Sequence, residues 1–111
     1  MKYVIDADNE LVALDMIELI RNSEPDVEVM QVPDVAALEP LRPAWSGGVF
    51  ITSRPYEQIA QAENVSQFLE SGGRVVIVGD VPRQEVSMHW VFLDNPFSET
   101  DFLNAIARAL V

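Results

Sequence analysis

The stretch Val91-Phe92-Leu93-Asp94-Asn95-Pro96-Phe97-Ser98-Glu99-Thr100-Asp101-Phe102-Leu103 places a strand, a proline-locked turn and a helix one after another. Val91 to Leu93 is an apolar run of strand length. Asn95-Pro96 continues neither a ladder nor a helix, because proline has no N–H to donate and its ring fixes the backbone. Ser98 stands where a helix N-cap is needed. Asp101, three residues later, forms a capping-box-like pair with it and suits the positive end of the helix dipole. Beyond the cap, Phe102, Leu103, Ile106, Ala109 and Leu110 recur at the helical period and predict one buried face.

Upstream of this stretch, strand-like and helix-like segments alternate. Lys2-Tyr3-Val4-Ile5 reads as a buried first strand that runs into the acidic loop Asp6-Ala7-Asp8-Asn9. Asp8 or Asn9 is placed to cap a helix through Leu11, Leu14, Ile17 and Leu19-Ile20, which Asn22-Ser23-Glu24-Pro25 stops. Val27 to Val32 mixes polar with apolar residues, as an edge strand with one wetter face does. Pro33-Asp34 opens a short helical segment through Val35, Leu38 and Leu41. Val49-Phe50-Ile51-Thr52 is apolar until its last residue, the pattern of a central parallel strand covered on both faces. A single helix is predicted from about Glu57 to Ser71, with Ile59, Ala62, Val65, Phe68 and Leu69 inward and Gly72-Gly73 as its stop. Arg74-Val75-Val76-Ile77-Val78 is the fourth strand and ends at Gly79-Asp80.

This alternation predicts a doubly wound α/β sheet with five parallel strands. The connection from Asp80 to the fifth strand at Trp90 barely meets the roughly 10 to 12 residues of a parallel crossover. The helix between strands four and five is therefore expected to be short or missing.

The 111 residues are enough for one domain with a core of its own, and that unit is compatible with a piece of a longer chain. The absence of cysteine excludes a disulfide framework, a thiolate metal site and a cysteine nucleophile. Eighteen acids against seven Lys plus Arg give a formal charge of −11, which repels phosphate backbones and anionic lipid. Direct nucleic-acid binding and membrane association are not expected, and no run reaches the roughly 18 apolar residues of a membrane span. A cytoplasmic location is the expectation.

Phe92-Leu93-Asp94-Asn95-Pro96-Phe97-Ser98, preceded by four strand-helix units, resembles the receiver domain of bacterial response regulators over nearly the whole chain. The resemblance implies a CheY/flavodoxin-like sheet in the order 2-1-3-4-5. In that family the fifth strand ends in Lys-Pro-Phe, the first in an acidic pair, the third in a phosphoaccepting aspartate and the fourth in a hydroxyl residue. Pro96 and Phe97 keep that frame, with Asn95 in place of the lysine and a cis bond expected before Pro96. Asp6 fits the first acid, Ala7 stands at the second, and Asp8 follows one residue late. Counting back from Pro55 puts Ile51 at the acceptor position, and shifting by one offers Thr52. Gly79 replaces the hydroxyl residue. Aspartyl phosphorylation needs a carboxylate nucleophile, a metal and a cation to hold the product. The resemblance therefore implies a pseudo-receiver: no catalytic residue, no phosphoacceptor, no metal and no cofactor. Degenerate receivers of this sort occur at the N-termini of ParA-like pilus-localisation ATPases.

The expected partner is a protein or a second copy of the chain, meeting the fifth strand and last helix through Trp90, Phe92 and Phe97, since exposed aromatic patches mark partner surfaces. Asp6, Asp8, Asp80 and Asp94 fall at strand carboxyl ends, where open α/β sheets bind ligands. A small-ligand or metal sensor is thus the first alternative, and a receiver phosphorylated at an unconventional residue the second. Arg54 and Arg83 read as isolated surface charges, and His89 lies before the fifth strand, away from Thr52 and Ser53, so no nucleophile-base pair is expected.

Overall fold

The computed structural model describes residues 2–6, 10–31, 48–54, 56–79, 90–93 and 98–109. The strands are β1 (Lys2–Asp6), β2 (Glu28–Gln31), β3 (Val49–Thr52), β4 (Arg74–Val78) and β5 (Trp90–Leu93). The helices are α1 (Glu10–Ser23), α2 (Tyr56–Ala60), α3 (Glu63–Glu70) and α4 (Glu99–Ala109). All five strands run parallel in the order β2-β1-β3-β4-β5, the flavodoxin- and CheY-like arrangement. The connection between β4 and β5, and the segment around Leu38, lie outside the described residues.

The burial of successive strand residues follows from this order. In β3 all four residues are buried, and in β4 all but Arg74, because helices cover both faces of the sheet. Tyr3, Ile5, Val49, Ile51, Val76, Val78, Val91 and Leu93 point to one face, where Ala13, Met16 and Ile20 of α1 and Phe102, Ala105, Ile106 and Ala109 of α4 meet them. Val4, Phe50, Val75 and Ile77 point to the other, against Ile59 of α2 and Val65 and Phe68 of α3. β1 and β3 are neighbours whose outgoing crossovers lead in opposite directions across the sheet. Crossovers of one hand then put α1 and the α2–α3 pair on opposite faces, as observed. β2 is an edge strand, with Glu28, Met30 and Gln31 exposed and only Val29 half-buried.

Two expectations about helices are corrected. The inward stripe of α1 is Ala13, Met16 and Ile20, with Ile17 half-buried, while Leu11 is 72 % and Leu14 51 % exposed. α1 carries apolar residues around much of its circumference, so periodicity alone does not choose the stripe. The small Ala13 lets the helix lie close to the sheet. Second, the predicted helix over 57–71 is two helices, broken at Gln61-Ala62, where Ala62 is extended (φ −79°, ψ 122°). Ile59 and Val65 would stand about 120° apart around a continuous helix. The break turns both onto the sheet, and both are fully buried.

The remaining ends follow local chemistry. Asp101 N donates to Ser98 Oγ at 3.1 Å and Ser98 N to Asp101 Oδ2 at 3.5 Å, the reciprocal pair that starts α4. α3 ends in a Schellman motif: Gly73 N donates to Phe68 O (3.0 Å) and Gly72 N to Leu69 O (3.1 Å), with Gly72 at φ 96°. Gly73 then passes directly over the Phe68 ring.

Candidate functional site

The strand order reverses between β1 and β3, and open α/β sheets bind ligands beside the carboxyl ends of such a strand pair. Asp6 and Thr52 are register partners there, each the last residue of its strand. Both are buried, Asp6 at 1 % exposure, and they are the two buried polar residues among those described. Their side chains share the face of Val4 and Phe50, by the alternation of the strand. Ser53 N donates to Asp6 O at 3.1 Å, which carries the β1–β3 pairing one residue past the end of β3 and aims Arg54 back across the edge.

Arg54 closes the cluster. Its Nε donates to Asp6 Oδ2 at 2.6 Å, with the guanidinium side chain 23 % exposed above a carboxylate that is almost fully buried. Thr52 Oγ1 lies 3.4 Å from the same oxygen, and accepts a hydrogen bond from Arg54 N at 3.1 Å. A carboxylate taken out of water is costly unless a cation and hydrogen bonds compensate it. Here both come from the three-residue turn that leaves β3. Asp6 is accordingly a buried, paired group rather than a solvated loop acid, and Arg54 is no isolated surface charge. The clue in the sequence was positional: once β1 and β3 are neighbours, an arginine two residues beyond the end of β3 reaches the residue that ends β1.

The other expected site residues divide into three groups. Ile51 pairs with Ile5 and is wholly buried in the core on the α1–α4 face, away from the edge where Thr52 lies. Gly79 adopts φ 135° and donates N–H to Leu93 O at 2.9 Å, so a backbone requirement fixes glycine there. Trp90 and Phe92 are half-buried against the α2–α3 face, whereas α4 packs on the opposite face. Ala7, Asp8, Asn95 and Phe97 lie outside the described residues, as do Asp80, Arg83, His89, Asp94 and the Asn95-Pro96 bond. Among the described residues no three His, Cys, Asp or Glu side chains gather as metal ligands, and no helix is long and apolar enough to cross a membrane.

The architecture and this edge define a class: a flavodoxin- and CheY-like doubly wound α/β domain whose switch-point carboxylate is paired within its own chain. Compared with protein-family models, with curated proteins and with solved structures, the chain matches none.

Proposed function

We propose that the chain is a non-catalytic, phosphorylation-independent receiver-like module that acts by contact with a protein partner or a second copy of itself. The observation that carries this reading is the Asp6–Arg54 pair at 2.6 Å. In a phosphorylated receiver the edge carboxylates hold a divalent cation against an incoming phosphoryl group. Here the guanidinium already supplies positive charge to the buried carboxylate, and Thr52 adds its hydroxyl to the same oxygen. The residues at the two candidate acceptor positions, Ile51 and Thr52, carry no carboxylate, and both are buried. A scaffold that keeps its sheet and fills its own edge is suited to presenting a fixed surface. Trp90 and Phe92 on β5 are the surface offered, since large half-buried aromatics are the side chains that anchor protein interfaces.

Incubation with acetyl phosphate and magnesium, followed by intact mass measurement, is expected to leave the mass unchanged. A stoichiometric, acid-labile adduct would sink this reading. Light scattering over a range of concentrations, on the native chain and on Trp90→Ala, tests self-association. A concentration-dependent dimer that Trp90→Ala weakens supports the β5 surface, and a dimer unaffected by that change rejects it for self-contact.

A further inference from the structure

At the opposite edge of the sheet, where the strands begin, the last turn of α1 and the inner side of α4 leave a groove of about 160 Å³. Its walls are Ile20, Leu103 and Ile106, and its polar end is formed by Tyr3, Ser23 and Glu24. Small-molecule sites usually occupy roughly 300–1,000 Å³. This groove has the size of one side chain.

Glu24 is the informative residue. It follows directly on α1, at the negative end of the helix dipole, where a carboxylate is unfavourable. It is nevertheless held in place. Tyr3 Oη donates to Glu24 Oε2 at 2.7 Å, Glu24 N donates to Ile20 O at 2.8 Å, and Glu24 O accepts from Val27 N at 3.3 Å. The hydroxyl that anchors it belongs to a tyrosine that is otherwise fully buried. A carboxylate pinned against a helix end adds its charge to that of the C-terminal carbonyls, and the two together favour a cation. The apolar walls suit the methylene stem of a long basic side chain, which buries its carbons while its charged end pairs. A planar guanidinium pairs with a carboxylate through two parallel hydrogen bonds, which an ammonium cannot do. The chain's formal charge of −11 draws basic surfaces towards it at long range.

We propose that the Tyr3–Glu24 groove between α1 and α4 receives an arginine side chain presented by a basic protein partner. The groove lies at the other end of the sheet from Asp6 and Arg54, so the inference stands or falls separately from the reading of that edge.

The test is titration of the isotope-labelled chain with acetyl-Gly-Arg-Gly-amide, followed by backbone amide shifts, with the citrulline peptide as the neutral control. Saturable shifts confined to residues 20–24 and 103–107 are expected, weakened at least tenfold with citrulline. Glu24→Gln, at an exposed position that still accepts from Tyr3, is expected to weaken them tenfold or more. Ala107→Phe, which fills the groove and leaves the carboxylate untouched, is expected to do the same. Equal response to citrulline, shifts spread over the acidic surface, no saturable shift, or indifference to both variants would overturn the proposal. Tighter binding of putrescine than of the peptide would overturn the assignment to a protein side chain.

Discussion

Arg54 Nε lies 2.6 Å from Asp6 Oδ2, joining residues 48 apart in sequence at the point where β1 and β3 end together. The pair is asymmetric, because Arg54 keeps a route to water and Asp6 does not. Losing the arginine strands a buried charge, whereas losing the carboxylate frees a cation that water can reach. Arg54→Ala is therefore expected to lower unfolding stability by about 3–5 kcal/mol, the cost of breaking a buried ion pair by removing one partner. Asp6→Asn is expected to cost less than Arg54→Ala. Urea denaturation of the two variants checks the ordering, and the reverse order would show that the pair is not what holds Asp6.

Tyr3 links stability to alkaline pH. Burial, then the hydrogen bond to Glu24 and the nearness of its charge, push the Tyr3 hydroxyl well above its ordinary value of 10.0. The unfolded chain therefore gives up this proton first, so the contribution is fully present below pH 10 and declines as pH rises beyond it. The expected slope approaches about 1.4 kcal/mol per pH unit for one proton. Denaturation midpoints of the native chain and of Tyr3→Phe, measured from pH 8 to 11, should converge above pH 10. A constant separation would exclude the linkage.

Gly79 separates backbone strain from crowding. A Cβ there would meet no atom within 4 Å, yet φ is 135°. Gly79→Ser is expected to cost about 1–3 kcal/mol from backbone conformation alone. Gly73→Ala fails by the opposite route, since its Cβ would come 2.4 Å from the buried Phe68 ring, and about 1–3 kcal/mol is expected from overpacking. Combining Gly73→Ala with Phe68→Leu should return part of that loss, whereas no side-chain change near Gly79 should help the serine variant. Thermal unfolding of the three variants distinguishes the two mechanisms.

The orientation of α1 is tested by paired substitutions. Leu11→Ser alters an exposed position and is expected to stay within about 0.5 kcal/mol of the native chain. Met16→Ala empties a fully buried site and is expected to cost about 2–5 kcal/mol. Equal losses would return α1 to the orientation that the leucine spacing suggests.

The sheet was legible because each strand is a short apolar run closed by a turn signal, and the capping pair Ser98–Asp101 is local chemistry that two residues spaced three apart specify. What escaped was decided by neighbours distant in the chain. Which side of α1 faces inward depends on the shape of the sheet beneath it, not on the count of leucines. The break at Ala62 arises because Ile59, Val65 and Phe68 must all reach one surface, a demand that no single residue announces. The Asp6–Arg54 pair needed the order of β1 and β3 before it could be seen, and the Tyr3–Glu24 bond spans 21 residues around the first crossover.

The closure at the end of β1 also bears on the order in which the chain assembles. Asp6 meets Arg54 only when a loop of 48 residues has been drawn together, and the entropy of that closure must be met before the contact returns anything. A nascent chain that has emitted β1, α1 and β2 still exposes Asp6 to water as an ordinary hydrated acid. Desolvating it is tolerable only as β3 and the turn behind it arrive. The counter-charge of Asp6 thus arrives only with β3 and its turn, so burying the end of β1 against anything else would leave the carboxylate uncompensated.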